Sequence, residues 1–135
     1  FNRLIPGTIR SILNSQSPVI RSDGEYIRDY FYVEDAVSAY LTLAERLPEE
    51  LFLGQAFNFG TEKPSSVLEI VELILKLMGN QELKPEILNQ AGLEIHSQYL
   101  ECSKARKLLR WEPGFTLEHG LLKTIDWYTD YFAQR

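Results

Sequence analysis

An α/β domain is what this sequence predicts, on three observations. Apolar residues recur at helical spacing in several separate stretches, short runs of β-branched and aromatic residues closed by Gly, Asp or Ser lie between them, and the two kinds of segment alternate along the chain.

The elements follow in order. Pro6 suits a first helical turn, and Ile5, Ile9, Ile12 and Leu13 share a helical face up to the polar stretch Asn14 to Ser17. Pro18, Val19 and Ile20 form a short strand closed by the turn Ser22-Asp23-Gly24. Tyr26 to Val33 supplies the next strand, with Arg28, Tyr30 and Tyr32 on one face and Ile27, Asp29, Phe31 and Val33 on the other. Asp35 is placed to cap the helix that follows, whose apolar positions Val37, Tyr40, Leu41, Ala44 and Leu47 keep a period near 3.6 up to Pro48. After a loop near Gly54, Ala56 to Phe59 reads as a short strand leaving at Gly60 and Thr61. Ser66 and Glu69 form a capping box ahead of Val67, Ile70, Val71, Ile74 and Met78, with Gly79 as the stop signal.

From Asn80 to Gln98 the pattern is weak and reads as a variable connection, with Glu86 to Leu88 its one short strand. Ser103 can cap a short helix reaching Leu109, and Thr116 opens a last one carrying Leu117, Leu121, Ile125, Tyr128 and Phe132 on one face. No repeat and no Pro/Ser/Gly-rich linker divides the chain, so 1–135 is read as one domain.

Composition narrows the function classes. Hydrophobic residues make up 44% of the chain and charged residues 24%, the usage of an ordinary globular domain. No apolar run approaches the ~20 residues of a membrane span, and the first ten residues lack the layout of a secretory signal, so the chain reads as cytoplasmic. The lone Cys102 has no disulfide partner, and with His96 and His119 it shows no metal-ligand spacing, so no metal is expected. A net charge of −5 opposes attraction to nucleic acid and leaves small molecules or protein as partners.

Three stretches carry a family resemblance: Arg28-Asp29-Tyr30-Phe31-Tyr32-Val33-Glu34-Asp35, Phe57-Asn58-Phe59-Gly60, and Ser103-Lys104-Ala105 with Trp111-Glu112-Pro113. Their order and spacing resemble the extended short-chain dehydrogenase/reductase family over essentially the whole chain. Residues 2–11 and the run Arg21-Ser22-Asp23-Gly24 look closest to its nucleotide-sugar 4,6-dehydratases, those acting on CDP-glucose in particular. The resemblance implies a Rossmann-type enzyme with NAD in the intact protein, of which this chain would be the C-terminal, sugar-nucleotide-binding portion. The parent reaction would be removal of water from an NDP-hexose, with a 4-epimerase of the same family or a stand-alone binding module as the alternatives.

Family members present a Gly-x-x-Gly-x-x-Gly turn for the dinucleotide and a Tyr-x-x-x-Lys pair for the chemistry. The eight glycines here form no such cluster, and no tyrosine is followed four residues later by lysine. No catalytic residue is therefore expected in this chain, and no NAD bound to it alone.

By the same resemblance Arg28 contacts the substrate pyrophosphate, since a guanidinium meets phosphate oxygens through parallel charge-assisted hydrogen bonds. The plainer reading is a strand arginine paired with a nearby carboxylate. Asn2, Arg3 and Leu4 would line the nucleotide pocket, although Arg3 near a chain end can simply be solvated. Val19, Ile20 and Arg21 match the base-binding strand, where a buried strand explains the first two equally well. Arg21 replaces the aromatic residue typical of enzymes using thymidine nucleotides, and is compatible with cytidine. Glu101 stands where the family has aspartate before Ser-Lys, and is assigned to the substrate site on that basis, with a helix-start carboxylate as the alternative. Asp29 and Asp35 read as structural, held by backbone N–H groups, and the tyrosines of the second strand with Trp111 and Trp127 read as core. Association into homo-oligomers stays open.

Overall fold

A computed structural model describes residues 3–92 and 94–134. In chain order the elements are α1 (Leu4–Leu13), β1 (Val19–Ile20), β2 (Ile27–Arg28), α2 (Val33–Arg46), β3 (Ser65–Ser66), α3 (Val67–Leu77), β4 (Glu86–Ile87), β5 (Ser97–Gln98) and α4 (Leu117–Ala133). A short 3-10 turn at Glu50–Phe52 and a π-type turn at Ala105–Leu109 lie between them. Helices alternate with strands, as the sequence predicts. The residues group into two compact units, the first drawn from Phe1–Arg28, Ser65–Gln98 and Leu121–Arg135, the second from Asp29–Pro64 and Tyr99–Gly120.

In the first unit α1 packs on α3. Ile9 and Ile12 of α1 are buried, as are Ile70, Val71, Ile74 and Leu75, which recur on one face of α3. The capping box forms: the Ser66 hydroxyl accepts from the Glu69 N–H at 3.1 Å, and the Glu69 carboxylate accepts from the Ser66 N–H at 2.7 Å. β1 pairs in parallel with β4, while β2 is the centre of a three-stranded sheet, antiparallel to β3 and parallel to β5. The weak 80–98 connection thus supplies two strands, β4 where Glu86 to Leu88 was expected and β5 at Ser97–Gln98, which the sequence did not signal.

The second unit is built around Ala39, Phe52, Ala105, Leu109 and Trp111, with Leu43, Phe57 and Phe59 packed against them. Trp111 stands edge-on to Phe59 at 5.0 Å, and its indole N–H donates to the Ser38 hydroxyl at 2.9 Å. The core reading therefore holds for Trp111. It fails for Trp127, which is 57% exposed and stacks on Tyr131 along the surface of α4. On α2 the apolar side chains Val33, Val37, Tyr40 and Leu41 face outward at helical spacing.

Four local expectations change. The strand expected over 26–33 pairs only at Ile27 and Arg28, because the backbone after Asp29 leaves the ladder and turns into α2. Asp35 does not cap that helix, which starts at Val33 with Tyr32 as its N-cap residue and no side-chain cap; Asp35 sits in the first turn, and its carboxylate is drawn to more distant donors. Ala56 to Phe59 joins no sheet among the described residues, having no ladder partner there. Its position is set by side chains: the Lys104 ammonium donates to the Ala56 carbonyl at 2.8 Å, and the Asn58 amide to the Glu101 carbonyl at 3.1 Å. Finally, the Ser103 hydroxyl does not cap its helix. The Glu101 carboxylate does so instead, accepting from the Ser103 N–H at 2.7 Å.

Thr116 behaves as the sequence implies, its hydroxyl accepting from the His119 N–H at 3.2 Å at the start of α4. Among the described residues no helix is long and apolar enough to cross a membrane.

Candidate functional site

Arg28 sits at the end of β2, and its guanidinium is oriented from one side. Nη1 donates to the carbonyls of Ile27, at 2.7 Å, and His96, at 3.2 Å. The pairing of β2 with β5 creates this arrangement, since Ile27 N–H also donates to the His96 carbonyl at 2.8 Å. Nη2 lies 3.7 Å from a Glu94 carboxylate oxygen, with the Arg28 side chain 25% exposed and that of Glu94 65%. The Arg28 carbon Cζ stands 5.8 Å from the centre of the Tyr26 ring, and the Tyr26 hydroxyl donates to the Ala91 carbonyl, tying Ala91 to the residue before β2. The guanidinium is thus fixed along one edge by neutral carbonyls and faces a single loosely placed anion along another. That arrangement can exchange a carboxylate for a phosphate.

The other predicted residues are distributed as follows. Arg3 is exposed at the N-cap of α1, with Leu4 half-buried behind it. Asn2 lies outside the described residues. Val19 is 50% exposed whereas Ile20 is 1% exposed, so the Ile20 side chain belongs to the core and Val19 is the apolar surface of that strand. Arg21 is exposed, and its carbonyl accepts from the Gln90 N–H at 2.7 Å. These residues fall with Arg28 in the first unit, while Glu101 falls in the second. The Ser103 hydroxyl and N–H hold the Glu101 carboxyl below its ordinary value, which fits the helix-start role.

The second unit contains a network that its sequence only hinted at. Asp29 accepts from the backbone N–H groups of Thr61, at 2.8 Å, and Glu62, at 2.9 Å, and from the Thr61 hydroxyl. Its carboxylate presses so closely on Gly60 that a Cβ there would come within 2.5 Å of an Asp29 oxygen, so only glycine fits without a shift. Glu62, with a positive φ of 56°, turns its side chain to accept from the Cys102 N–H at 2.8 Å and to pair with Arg106. The Arg106 hydrogen bond, then the Cys102 N–H, lower the Glu62 carboxyl from its ordinary value of 4.5. Burial, with Glu62 nearby, pushes the Cys102 thiol up, so this sulfur is a packed, unreactive group.

A prediction follows from the sign of the Glu62 shift. A carboxyl lowered by folding contributes stability that is complete above its unfolded value and lost as pH falls through the folded value. The difference in melting temperature between the wild type and Glu62→Gln is therefore expected to be largest near neutrality. It should shrink as pH drops below 4.5, in thermal unfolding followed at a series of pH values. A difference that stays constant with pH would remove Glu62 from the acid response.

Glu94 was missed by sequence reasoning, because nothing near it in the chain signals that β5 will carry it to Arg28. Donor atoms of Asp23, Glu25 and His96 also lie within 4.8 Å of one another in the first unit. All three side chains are open to solvent to some degree, and no role follows from their proximity alone.

Comparison with known proteins gives a consistent picture. Residues 1–60 match the model described as the NAD dependent epimerase/dehydratase family. The chain is 32% identical to a UDP-glucuronate 4-epimerase of Thermodesulfobacterium geofontis, over 88% of this chain and 35% of that protein. It is 31% identical to a dTDP-glucose 4,6-dehydratase of Haemophilus influenzae, over 93% of this chain and 39% of that protein. Among solved structures, the UDP-glucose 4-epimerase of Thermotoga maritima, determined with UDP-glucose, superposes with a TM-score of 0.81 at 28% identity, over 96% of this chain and 40% of that one. The α/β fold is thus that of Rossmann-type epimerase/dehydratase structures, and the chain spans between 35% and 40% of the length of these relatives.

Proposed function

We infer, from this kinship with the NAD dependent epimerase/dehydratase family, that the chain is the nucleotide-sugar-binding portion of such an enzyme. The observation that carries the reading is Arg28, a strand-end guanidinium oriented by two backbone carbonyls with its Nη2 directed at an exposed, displaceable carboxylate. A pyrophosphate, with about two negative charges and oxygens spaced for parallel hydrogen bonds, is the ligand that suits it.

The reaction we assign to the whole protein is removal of water from an NDP-hexose, with inversion at C4 as the second reading, favoured by the relatives named as epimerases. Arg21, in the base-binding stretch, supports cytidine over thymidine. Asn2, Arg3, Leu4 and Val19 are assigned to the nucleotide, Val19 through its exposed side chain, while Ile20 supports that strand from the core. Glu101 is kept in the site only as the residue that fixes the Ser103 turn.

Among the described residues we read no dinucleotide site. Gly24, Gly54 and Gly79, the glycines with positive φ, each mark a separate turn, and none opens a helix as part of a phosphate-cradling cluster. NAD is accordingly placed with parts of the relatives that this chain does not span, and no chemical step is assigned to residues 1–135. What this chain contributes is binding: a cation for the pyrophosphate, a strand for the base, and a scaffold that holds both.

The test uses the protein that joins this chain to a dinucleotide-binding portion. Arg28→Ala is expected to weaken binding of the NDP-hexose by about 2 kcal/mol or more, roughly thirtyfold in Kd, the cost of removing one partner of a charge pair. Calorimetry with CDP-, UDP- and dTDP-glucose reads both the loss and the base preference. Unchanged affinity would return Arg28 to a structural role, and a C4 epimer in place of a 4-keto-6-deoxy product would select the second reading.

A further inference from the structure

We propose that Glu94 is a built-in competitor for the anion that Arg28 binds, a displaceable counter-ion that sets the affinity of the phosphate subsite. The proposal rests on the pyrophosphate reading of Arg28 and adds to it a residue that limits binding.

Geometry separates this pair from the others in the molecule. The Glu62 carboxylate is hydrogen-bonded to Arg106 and also holds a backbone N–H, and Glu49 is hydrogen-bonded to Arg46, so both acids are anchored. Glu94 instead stands 3.7 Å from Nη2 of Arg28, beyond hydrogen-bond reach but within Coulombic range. Its side chain is 65% exposed, so a displaced carboxylate returns to water at little cost. Arg28 is less exposed, and its Nη1 is occupied by the carbonyls of Ile27 and His96. Among the described residues its Nε makes no hydrogen bond. The edge formed by Nε and Nη2 is therefore the one on which a phosphate can be held by two parallel bonds, and Glu94 lies beside that edge.

The same strand pairing makes both halves of the device. Parallel pairing of β2 with β5 brings the His96 carbonyl to Arg28, which orients the guanidinium, and it carries Glu94, two residues upstream, to the open edge. A carboxylate offers one negative charge at a loose distance, whereas a diphosphate offers more charge and a bidentate fit, so it displaces Glu94 and a weaker anion does not. Glu94 thus discriminates against monovalent anions while lowering the affinity for the diphosphate.

The experiment titrates the protein that joins this chain to a dinucleotide-binding portion with inorganic pyrophosphate and with UDP at low ionic strength, by calorimetry, for wild type, Glu94→Gln, Arg28→Ala and the double variant. Glu94→Gln is expected to bind about twofold to fivefold more tightly than wild type, the gain vanishing near 0.5 M salt, roughly as an exposed ion pair is screened. The double variant is expected to bind as weakly as Arg28→Ala. If Arg28→Ala loses affinity but Glu94→Gln matches wild type or binds more weakly, the competitor role is overturned while the pyrophosphate reading stands. If Glu94→Gln tightens binding equally with and without Arg28, Glu94 is only a general surface charge and the proposal fails. If Arg28→Ala matches wild type, or if neither wild type nor Glu94→Gln binds, the pyrophosphate reading fails and the proposal with it.

Discussion

Replacing Asp35 by alanine is expected to destabilise the second unit by about 2–4 kcal/mol. The carboxylate is 2% exposed and accepts from the N–H groups of Gly114, at 2.6 Å, and Phe115, at 3.3 Å. Those two donors follow Pro113, in a loop with no helix or strand of its own to satisfy them. Removing the carboxylate takes a charged acceptor from both donors and opens space at a buried position, and hydrogen bonds to a charged group are the costlier ones to lose, even though Gly114 is itself exposed. Asp35→Asn keeps one acceptor oxygen and is expected to lose about half as much. Urea denaturation of the two variants reads the difference. A cost under about 0.5 kcal/mol for the alanine variant would mean that water replaces the carboxylate.

Trp111→Ala is expected to cost more, about 3–5 kcal/mol, the usual range for deleting a large buried aromatic. The ring is 5% exposed among Ala39, Phe52, Ala105 and Leu109, and its edge-on contact with Phe59 would be lost along with the packing. Its N–H is also the first link of a hydrogen-bond chain: Trp111 donates to the Ser38 hydroxyl, which donates to the Asp35 carbonyl at 2.9 Å. Trp111 and the Asp35 carboxylate both tie the 111–115 segment to the start of α2, through Ser38 and through Gly114 and Phe115, and their substitutions are expected not to add. The double variant should lose less than the sum of the two single losses in the same denaturation experiment. Strict additivity would show that the indole contributes through its area alone.

The helices of this chain are legible in its sequence because their determinants are local. Ser66 and Glu69 announce α3 three residues apart, Thr116 announces α4, and the apolar spacing of Ile9 and Ile12 or of Ile70 and Ile74 survives into the buried faces. The strands are less legible because each is two residues long and defined by a partner far along the chain, β1 by β4 and β2 by β3 and β5. A propensity for extended backbone identifies 18–20, 26–33 and 56–59 alike, but only pairing decides which positions become strand. The same distance hides the roles of Asp35, whose donors lie at 114 and 115, and of Glu94.

The family model matched over residues 1–60 spans the Arg28–Asp35 and Phe57–Gly60 stretches, whereas Ser103–Ala105 and Trp111–Pro113 lie outside the matched residues. The choice of base is different. It rests on residues 2–11 and the run from Arg21 to Gly24, and the compared relatives are named for UDP- and dTDP-sugars.

The partition into two units has a consequence for how the chain can be made. The first unit uses three stretches of sequence and the second two, so the backbone passes between them four times, at residues 28, 64, 98 and 120. During synthesis the second unit has all its parts once residue 120 has emerged, before the first has received the stretch from Leu121 that buries Leu121 and Ile125. The unit that starts first on the ribosome is completed last, and its half-built core, still lacking Leu121 and Ile125, is the species a chaperone would meet.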